Sequence, residues 1–330
     1  MDGFNTSLSL AANWSAGHIN RSVGYPGPST SEEALKYITL VLYLITFCAG
    51  LFGNGLVIYI LIRFKSVRSK SVANIYILNL SVADLVFIFT MPLFCYATYT
   101  KDWIFGNPMC KITFVFREIN KFGSIFTLMA LSVDRFLASF HTLSYLRTNQ
   151  VGKYVCLGVW VASFAMCTPY IMYSYSVNSR GKSTCKINWP VIDNISHMKA
   201  WSYSQLTIGL IVPVFVILVS YLLLMHRLKA IMKFRQAQRA KKPSRKMTKT
   251  IAIVVVIFLV CQVPYYILDM VSVMKREKIH LLALEGIVYQ PAEWEWSLFV
   301  YCNALAQMLV FISSCCNPVI YGVTNDNFSK

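Results

Sequence analysis

The chain has 330 residues, 56% of them hydrophobic and only 14% charged, with a formal charge of +17. A soluble globular domain carries about 25% charged residues, so this composition excludes an ordinary water-facing surface over much of the chain. The excess of cations does not point to nucleic acid: ten Lys or Arg and no Asp or Glu lie between His226 and Lys249, beside an apolar run, where such a block marks the cytoplasmic side of a membrane.

In chain order, residues 1–34 are polar and rich in Ser, Asn and Gly, which predicts a disordered segment. No apolar stretch led by Arg or Lys occurs there, so no cleavable signal peptide is expected. Acceptor sequons at Asn5, Asn13 and Asn20 predict a glycosylated extracellular N-terminus, and Asn194 supplies a fourth in a later outer loop. About 20 apolar residues cross a bilayer as a helix. Runs at 37–63, 72–98, 107–140, 153–174, 202–226, 249–274 and 296–322 meet that length. Loops 64–71, 141–152 and 227–248 carry Lys or Arg, and loops 99–106, 175–201 and 275–295 are mixed or acidic. The alternation places the N-terminus outside and the C-terminus inside. The expected fold is therefore an all-α membrane protein, a seven-transmembrane helix bundle over 35–324. Residues 325–330 read as the start of a short cytoplasmic helix with no tail beyond it. Membrane lipid is the solvent, and no inverted repeat of the transporter kind is apparent.

Eight of the ten cysteines fall inside apolar runs and read as small buried hydrophobes. Cys110 and Cys185 instead sit at the edges of such runs on the outer side and are the disulfide candidates. None has the CxxC spacing of a zinc site.

Ionisable groups inside a span are costly and are functional candidates by default. Asp84 lies mid-span, with Asn54, Asn120, Ser124 and Asn317 as plausible partners. Such an oxygen-rich set suits a small hard cation such as sodium, and equally a hydrogen-bonded knot that glues helices. Arg117, Glu118 and Lys121 crowd the outer half of span three. They must face a wet ligand pocket or one another, and the ligand pocket is the preferred reading. Asp134-Arg135 closes span three, where the helix dipole favours the cation and a snorkelling role is the plain alternative. Pro169, Pro213, Pro264 and Pro318 fall inside spans four to seven, where each frees a backbone carbonyl and bends its helix.

With these residues in place the chain resembles a rhodopsin-like (class A) G-protein-coupled receptor along nearly its whole length. The likeness rests on Gly53-Asn54, Leu80, Ala83 and Asp84, Cys110, Asp134-Arg135-Phe136, Trp160, Pro213 and Tyr221, Phe258, Cys261 and Pro264, and Asn317-Pro318-Val319-Ile320-Tyr321, in that order. Asn74 to Leu80, Met91-Pro92, Trp103 to Gly106, and Tyr321-Gly322 followed by Asp326-Asn327-Phe328 make it similar to the somatostatin, opioid and allatostatin-C type of peptide receptor. The resemblance implies a multi-pass plasma-membrane receptor for an extracellular neuropeptide, coupled to heterotrimeric G proteins of the inhibitory class, with arrestin as a further partner. It implies a disulfide between Cys110 and Cys185, no cofactor other than an allosteric sodium ion at Asp84, Asn120 and Ser124, and release of Arg135 from Asp134 and Thr248 on activation. Tyr221 and Tyr321 would then close around Arg135, and Leu143 would pack into a groove of the G protein. Binding residues are expected at Arg117, Glu118, Lys121, Gln205, Asp269, Asn303 and Gln307.

Departures from that pattern carry information. Phe136 follows Asp134-Arg135 where Tyr is usual, and Thr142 stands for a usual Pro. Gln262 replaces the usual Trp two residues before Pro264, so the switch at the pocket floor must work differently. Arg117 replaces the Asp of somatostatin and opioid receptors, and together with Lys121 it suits an anionic ligand group such as a peptide C-terminal carboxylate rather than a cation. Other function classes fare worse. Span seven has no Lys for a retinal Schiff base, and neither GxSxG nor HExxH occurs, so an enzyme is not expected. A receptor of the same fold for a small molecule or chemoattractant is the nearest alternative, and a membrane transporter the most distant.

Overall fold

The computed structural model describes residues 30–64, 71–140, 145, 147–179, 181–189, 191–192, 195–235, 245–287 and 292–324. Span one is α1 (Thr30–Arg63). Span two is α2 (Val72–Ile88) followed by α3 (Met91–Thr100), and span three is α4 (Gly106–Leu137). Span four is α5 (Asn149–Tyr173), whose first turn is capped by the Thr148 hydroxyl accepting the Val151 N–H at 3.2 Å. Span five joins α6 (His197–Leu206) through a π-helical turn at Thr207–Ile211 to α7 (Val212–Arg235). Spans six and seven are α8 (Arg245–Leu284) and α9 (Glu293–Thr324).

Where the apolar length predicts one unbroken span over 72–98, the helix is interrupted at Phe89–Thr90. Pro92 causes this: it has no N–H to give and its ring collides with the carbonyl four residues earlier. Span five is irregular for a related reason. Pro213 cannot donate to the carbonyl of Gly209, and the chain widens into the π turn just before it.

Six of the helices, at Tyr37–Arg63, Val72–Thr100, Asn149–Tyr173, His197–Lys229, Ile251–Ile279 and Ser297–Ile320, are long and apolar enough to cross a membrane. The seventh, α4, is 32 residues long, about 48 Å at 1.5 Å per residue. It falls short on composition alone, because Lys111, Arg117, Glu118, Lys121, Asp134 and Arg135 interrupt it. Such a helix tolerates lipid depth only if other helices surround it. It is so placed: span three packs against spans two, four and five, while six lies on seven, seven on one, and one on two. Leu44, Phe52, Phe164, Phe215, Leu222 and Val260 point outward from the bundle with large exposed surfaces, which are acceptable to acyl chains and not to water.

Two apolar clusters fill the interior. The larger, including Leu61, Leu80, Ile125, Leu128, Leu131, Val254 and Phe258, packs the inner half. The smaller joins spans one, two and seven around Phe311, whose ring stacks on Phe87 at 4.4 Å. Outside, β1 (Ser174–Ser179) and β2 (Lys182–Ile187) form an antiparallel hairpin with Ser176 opposite Cys185. Gly181, at the turn, has φ +81°, a backbone that other residues adopt only with strain. The short β3 (Val191–Ile192) and β4 (Ile195–Ser196) form a second antiparallel pair. Cys110 and Cys185 are joined as a disulfide, fixing β2 to the head of span three. The Asp102 carboxylate accepts the Ser183 N–H at 2.7 Å and the Ser183 carbonyl accepts the Trp103 N–H at 2.8 Å. The hairpin is therefore held to the first outer loop as well.

Candidate functional site

The outer half of span three carries its charges at Arg117, Glu118 and Lys121, and the helix pitch brings all three together. Glu118 is fully buried and in contact with the Lys121 ammonium one turn on, and its other oxygen is 3.6 Å from the Arg117 Nε. Lys121 also donates to the Gln205 side-chain oxygen at 2.6 Å. The Gln205 amide donates in turn to the Tyr170 hydroxyl, which also accepts the Trp201 indole N–H at 3.2 Å. Spans three, four and five are thereby joined by one buried polar chain. Aromatic faces complete the walls. The Arg117 guanidinium lies 4.9 Å from the Phe114 ring and 5.9 Å from Tyr265, and the Lys121 ammonium 5.7 Å from Tyr265 and from Tyr266. Cations over aromatic faces gain attraction from the ring quadrupole.

Of the expected binding residues, Arg117, Glu118, Lys121 and Gln205 meet directly. Asp269 lies one turn outward of Tyr265, half-buried, within electrostatic reach of both Arg117 and Lys121. Asn303 donates to the carbonyl of Phe299 on its own helix at 2.8 Å. The Gln307 amide nitrogen is buried with no hydrogen-bond partner. Tyr170, Phe114, Tyr265 and Tyr266 escaped the reading of the sequence. The helical spacing of Phe114 and Arg117, and of Tyr265 and Asp269, was the available signal.

Span six meets span five just below. The Tyr266 hydroxyl donates to the Gly209 carbonyl at 3.1 Å, the same carbonyl that Pro213 leaves without its helical donor. Gly209 is required here, because a Cβ would stand 2.6 Å from that hydroxyl. Gln262 is 1% exposed and its side-chain oxygen has no hydrogen-bond partner.

At mid-depth the Asp84 carboxylate accepts from the Asn120 and Asn317 amides, each at 2.8 Å, and also bonds Ser314. Ser124 lies 3.5 Å from the Asn120 amide. Asn54 bonds the Ser314 and Gly50 carbonyls rather than Asp84, and its own side-chain oxygen is buried without a partner. Asn79 donates to Thr127 at 2.8 Å and accepts from the Trp160 indole at 2.7 Å, tying spans two, three and four. At the inner end Asp134 pairs with Arg135 and also with Arg147, 2.9 Å from the Arg147 Nε. Arg147 is an addition to the expected set. The Tyr221 hydroxyl is buried with no hydrogen-bond partner, and the Ser132 hydroxyl donates to the Leu128 carbonyl at 2.8 Å. Leu143 and the sequons at Asn5, Asn13, Asn20 and Asn194 lie outside the described residues, as do residues 325–330. Thr248 and Tyr321 lie within α8 and α9, with their side chains outside the description.

The markers that fix this geometry recur in known proteins. The model of the 7 transmembrane receptor (rhodopsin family) matches residues 53–321. The chain belongs to this family. The receptor is similar to the somatostatin receptor type 2 of Mus musculus, 30% identical over 304 residues, 91% of this chain and 76% of that one. It is similar to the somatostatin receptor type 5 of Rattus norvegicus, 31% identical over 330 residues, 98% of this chain and 85% of that one. The somatostatin receptor type 3 of Homo sapiens is 32% identical over 314 residues, 92% of this chain and 69% of that one. The receptor is thus a G-protein-coupled receptor of the rhodopsin family and a multi-pass plasma-membrane protein.

Proposed function

We propose that the receptor answers an extracellular peptide that places an anionic group, such as a C-terminal carboxylate, beside Arg117. The observation that carries this is the buried triad of Arg117, Glu118 and Lys121, two cations against one anion at the outer half of span three. A peptide ligand follows from the likeness to somatostatin receptors over nearly the whole chain. Asp269, Gln205, Asn303 and Gln307 would frame the rest of the ligand. Binding would shift a two-state bundle toward the form with an open inner face. Replacing Arg117 by Asp should abolish the response to a carboxylate-bearing agonist in cells expressing the receptor at the surface. An unchanged dose–response curve would sink the assignment.

The same likeness supports coupling to heterotrimeric G proteins of the inhibitory class, with arrestin as a further partner. Agonist-driven suppression of cAMP should vanish after pertussis toxin, and toxin-insensitive signalling counts against the inhibitory class.

The residues around Asp84 fit a sodium ion. They offer one carboxylate, the hydroxyls of Ser124 and Ser314, and in Asn54 a buried oxygen without a hydrogen-bond partner, the hard donors such a cation requires. Asp84, Asn120 and Ser124 would hold it and favour the inactive state.

A further inference from the structure

Two cations share the outer site, but they are not equivalent. Lys121 is fully engaged. Its ammonium contacts Glu118, donates to Gln205 at 2.6 Å, and sits over the rings of Phe122, Tyr265 and Tyr266. Its side chain is only 5% exposed. Arg117 is loosely held. Its only ion pair among the described residues is the 3.6 Å approach of Nε to Glu118, too long for a hydrogen bond, and that Nε–H has no hydrogen-bond partner. Its side chain is 14% exposed, the most open of the three. Asp269 attracts it but is not within ion-pair distance.

We infer that Glu118 and Lys121 form an internal neutral pair that positions spans three and five, and that Arg117 alone receives the ligand's anion, so the site selects a single negative charge. This rests on the anionic-ligand reading given above and adds to it a division of labour and a charge count. Lys121 and Glu118 cancel, and Asp269, which lies beyond ion-pair distance of Arg117, faces Arg276 as well; three cations against two anions leave one positive charge in excess, and the guanidinium of Arg117 is the cation without a close partner. A buried charge without a partner is costly, and a carboxylate meets it with two parallel N–H···O bonds. A dianion would bring one negative charge more than the site can neutralise. A carboxamide would bring none and would leave the guanidinium unmatched. Lys121 is on this view a positioning residue. It holds Gln205 and, through it, Tyr170, without touching the ligand. The flat rings of Phe114 and Tyr265 beside Arg117 favour an aromatic group next to the carboxylate.

The test uses N-acetylphenylalanine, its C-terminal amide and the matching phosphonate, with the thermal midpoint of the purified full-length receptor as the readout, since a ligand that binds the folded state raises it. In the unaltered receptor the acid should act at a concentration at least about tenfold lower than the amide, as expected for a charge-assisted bidentate contact, and lower than the phosphonate. Arg117→Gln should abolish the preference for acid over amide. Glu118→Gln raises the uncompensated charge by one and should reverse the order of acid and phosphonate. Because that variant also leaves a buried cation unpaired, the deciding variant is the double replacement Glu118→Gln with Lys121→Met. It removes both members of the pair and should keep the acid preference within about threefold. A double variant that loses the preference as Arg117→Gln does would show that Lys121 shares the ligand, overturning the division while leaving the anionic site intact. Acid and amide acting alike on the unaltered receptor, or neither acting at all, overturns the carboxylate assignment itself. The peptide reading then stands or falls on its own cell assay.

Discussion

The outer triad and the Asp84 cluster share span three, where Arg117, Glu118 and Lys121 interleave with Asn120 and Ser124, yet they treat buried charge in opposite ways. Asp84 is one anion surrounded by neutral donors, with amides on both carboxylate oxygens at 2.8 Å. Its charge is spread into dipoles that belong to spans three and seven, and no second formal charge faces it in the cluster. The triad holds three formal charges that do not cancel, and its most open member has an N–H with no acceptor. A polar knot that is satisfied internally cements helices; one that is left a charge short is built to meet something from outside. The distinction lies in the donor count rather than in depth or burial.

Five experiments break or sharpen that contrast. The largest effect belongs to Arg117→Gln, which should weaken a carboxylate-bearing agonist by about tenfold to a hundredfold in cell assays with little loss of surface expression, since it removes a charge that lacks a full partner. Lys121→Met should do the reverse: it strips Glu118 of its close partner, so expression and thermal midpoint fall sharply. A variant of Lys121 that expresses normally would refute the neutral pair. Next comes Asp84→Asn. If the mid-depth cluster holds sodium, adding the ion should lower agonist affinity in the unaltered receptor by about fivefold or more and leave the variant unmoved, as read by radioligand displacement with and without the salt. Gly209→Ala should cost about 1–3 kcal/mol of stability, because its Cβ would meet the Tyr266 hydroxyl at 2.6 Å. The smallest effect is expected at the exposed pair of Lys199 and Glu277, where the ion contact of 2.6 Å joins groups 40% and 45% exposed. Lys199→Ala should leave the thermal midpoint unchanged, as screened pairs in water contribute little.

Much of this is legible in the sequence. Apolar length and loop charge set out the spans, and the charges of span three stood out because lipid depth makes them expensive. The interruption at Phe89–Thr90 was hidden because apolar length is insensitive to a break, although Pro92 marked it. Partners were the harder part. Asp134 finds Arg147 across 13 positions, Gln205 finds Tyr170 across 35, and Asn54 turns to the carbonyl of Ser314 rather than to Asp84 across 260. Such choices depend on how each helix is rotated against its neighbours, which periodicity narrows but does not decide. Tyr170 was overlooked because an aromatic residue in a span reads first as lipid-facing or core. Only the convergence of Gln205 and Trp201 on its hydroxyl gives it a polar task.

The bond from Tyr266 to the Gly209 carbonyl gives span six a fixed bearing. It sits two residues outward of Pro264, so the outer part of α8 is pinned to span five, while among the described residues no side-chain hydrogen bond reaches span five from below the proline. From Pro264 to Arg245 the helix runs about 28 Å. A lever of that length, bending by about ten degrees at the proline, carries its inner tip through roughly 5 Å. The loss that Pro213 imposes on span five thus gives span six a fixed point, about which a bend at Pro264 would swing the inner end of the helix away from its neighbours.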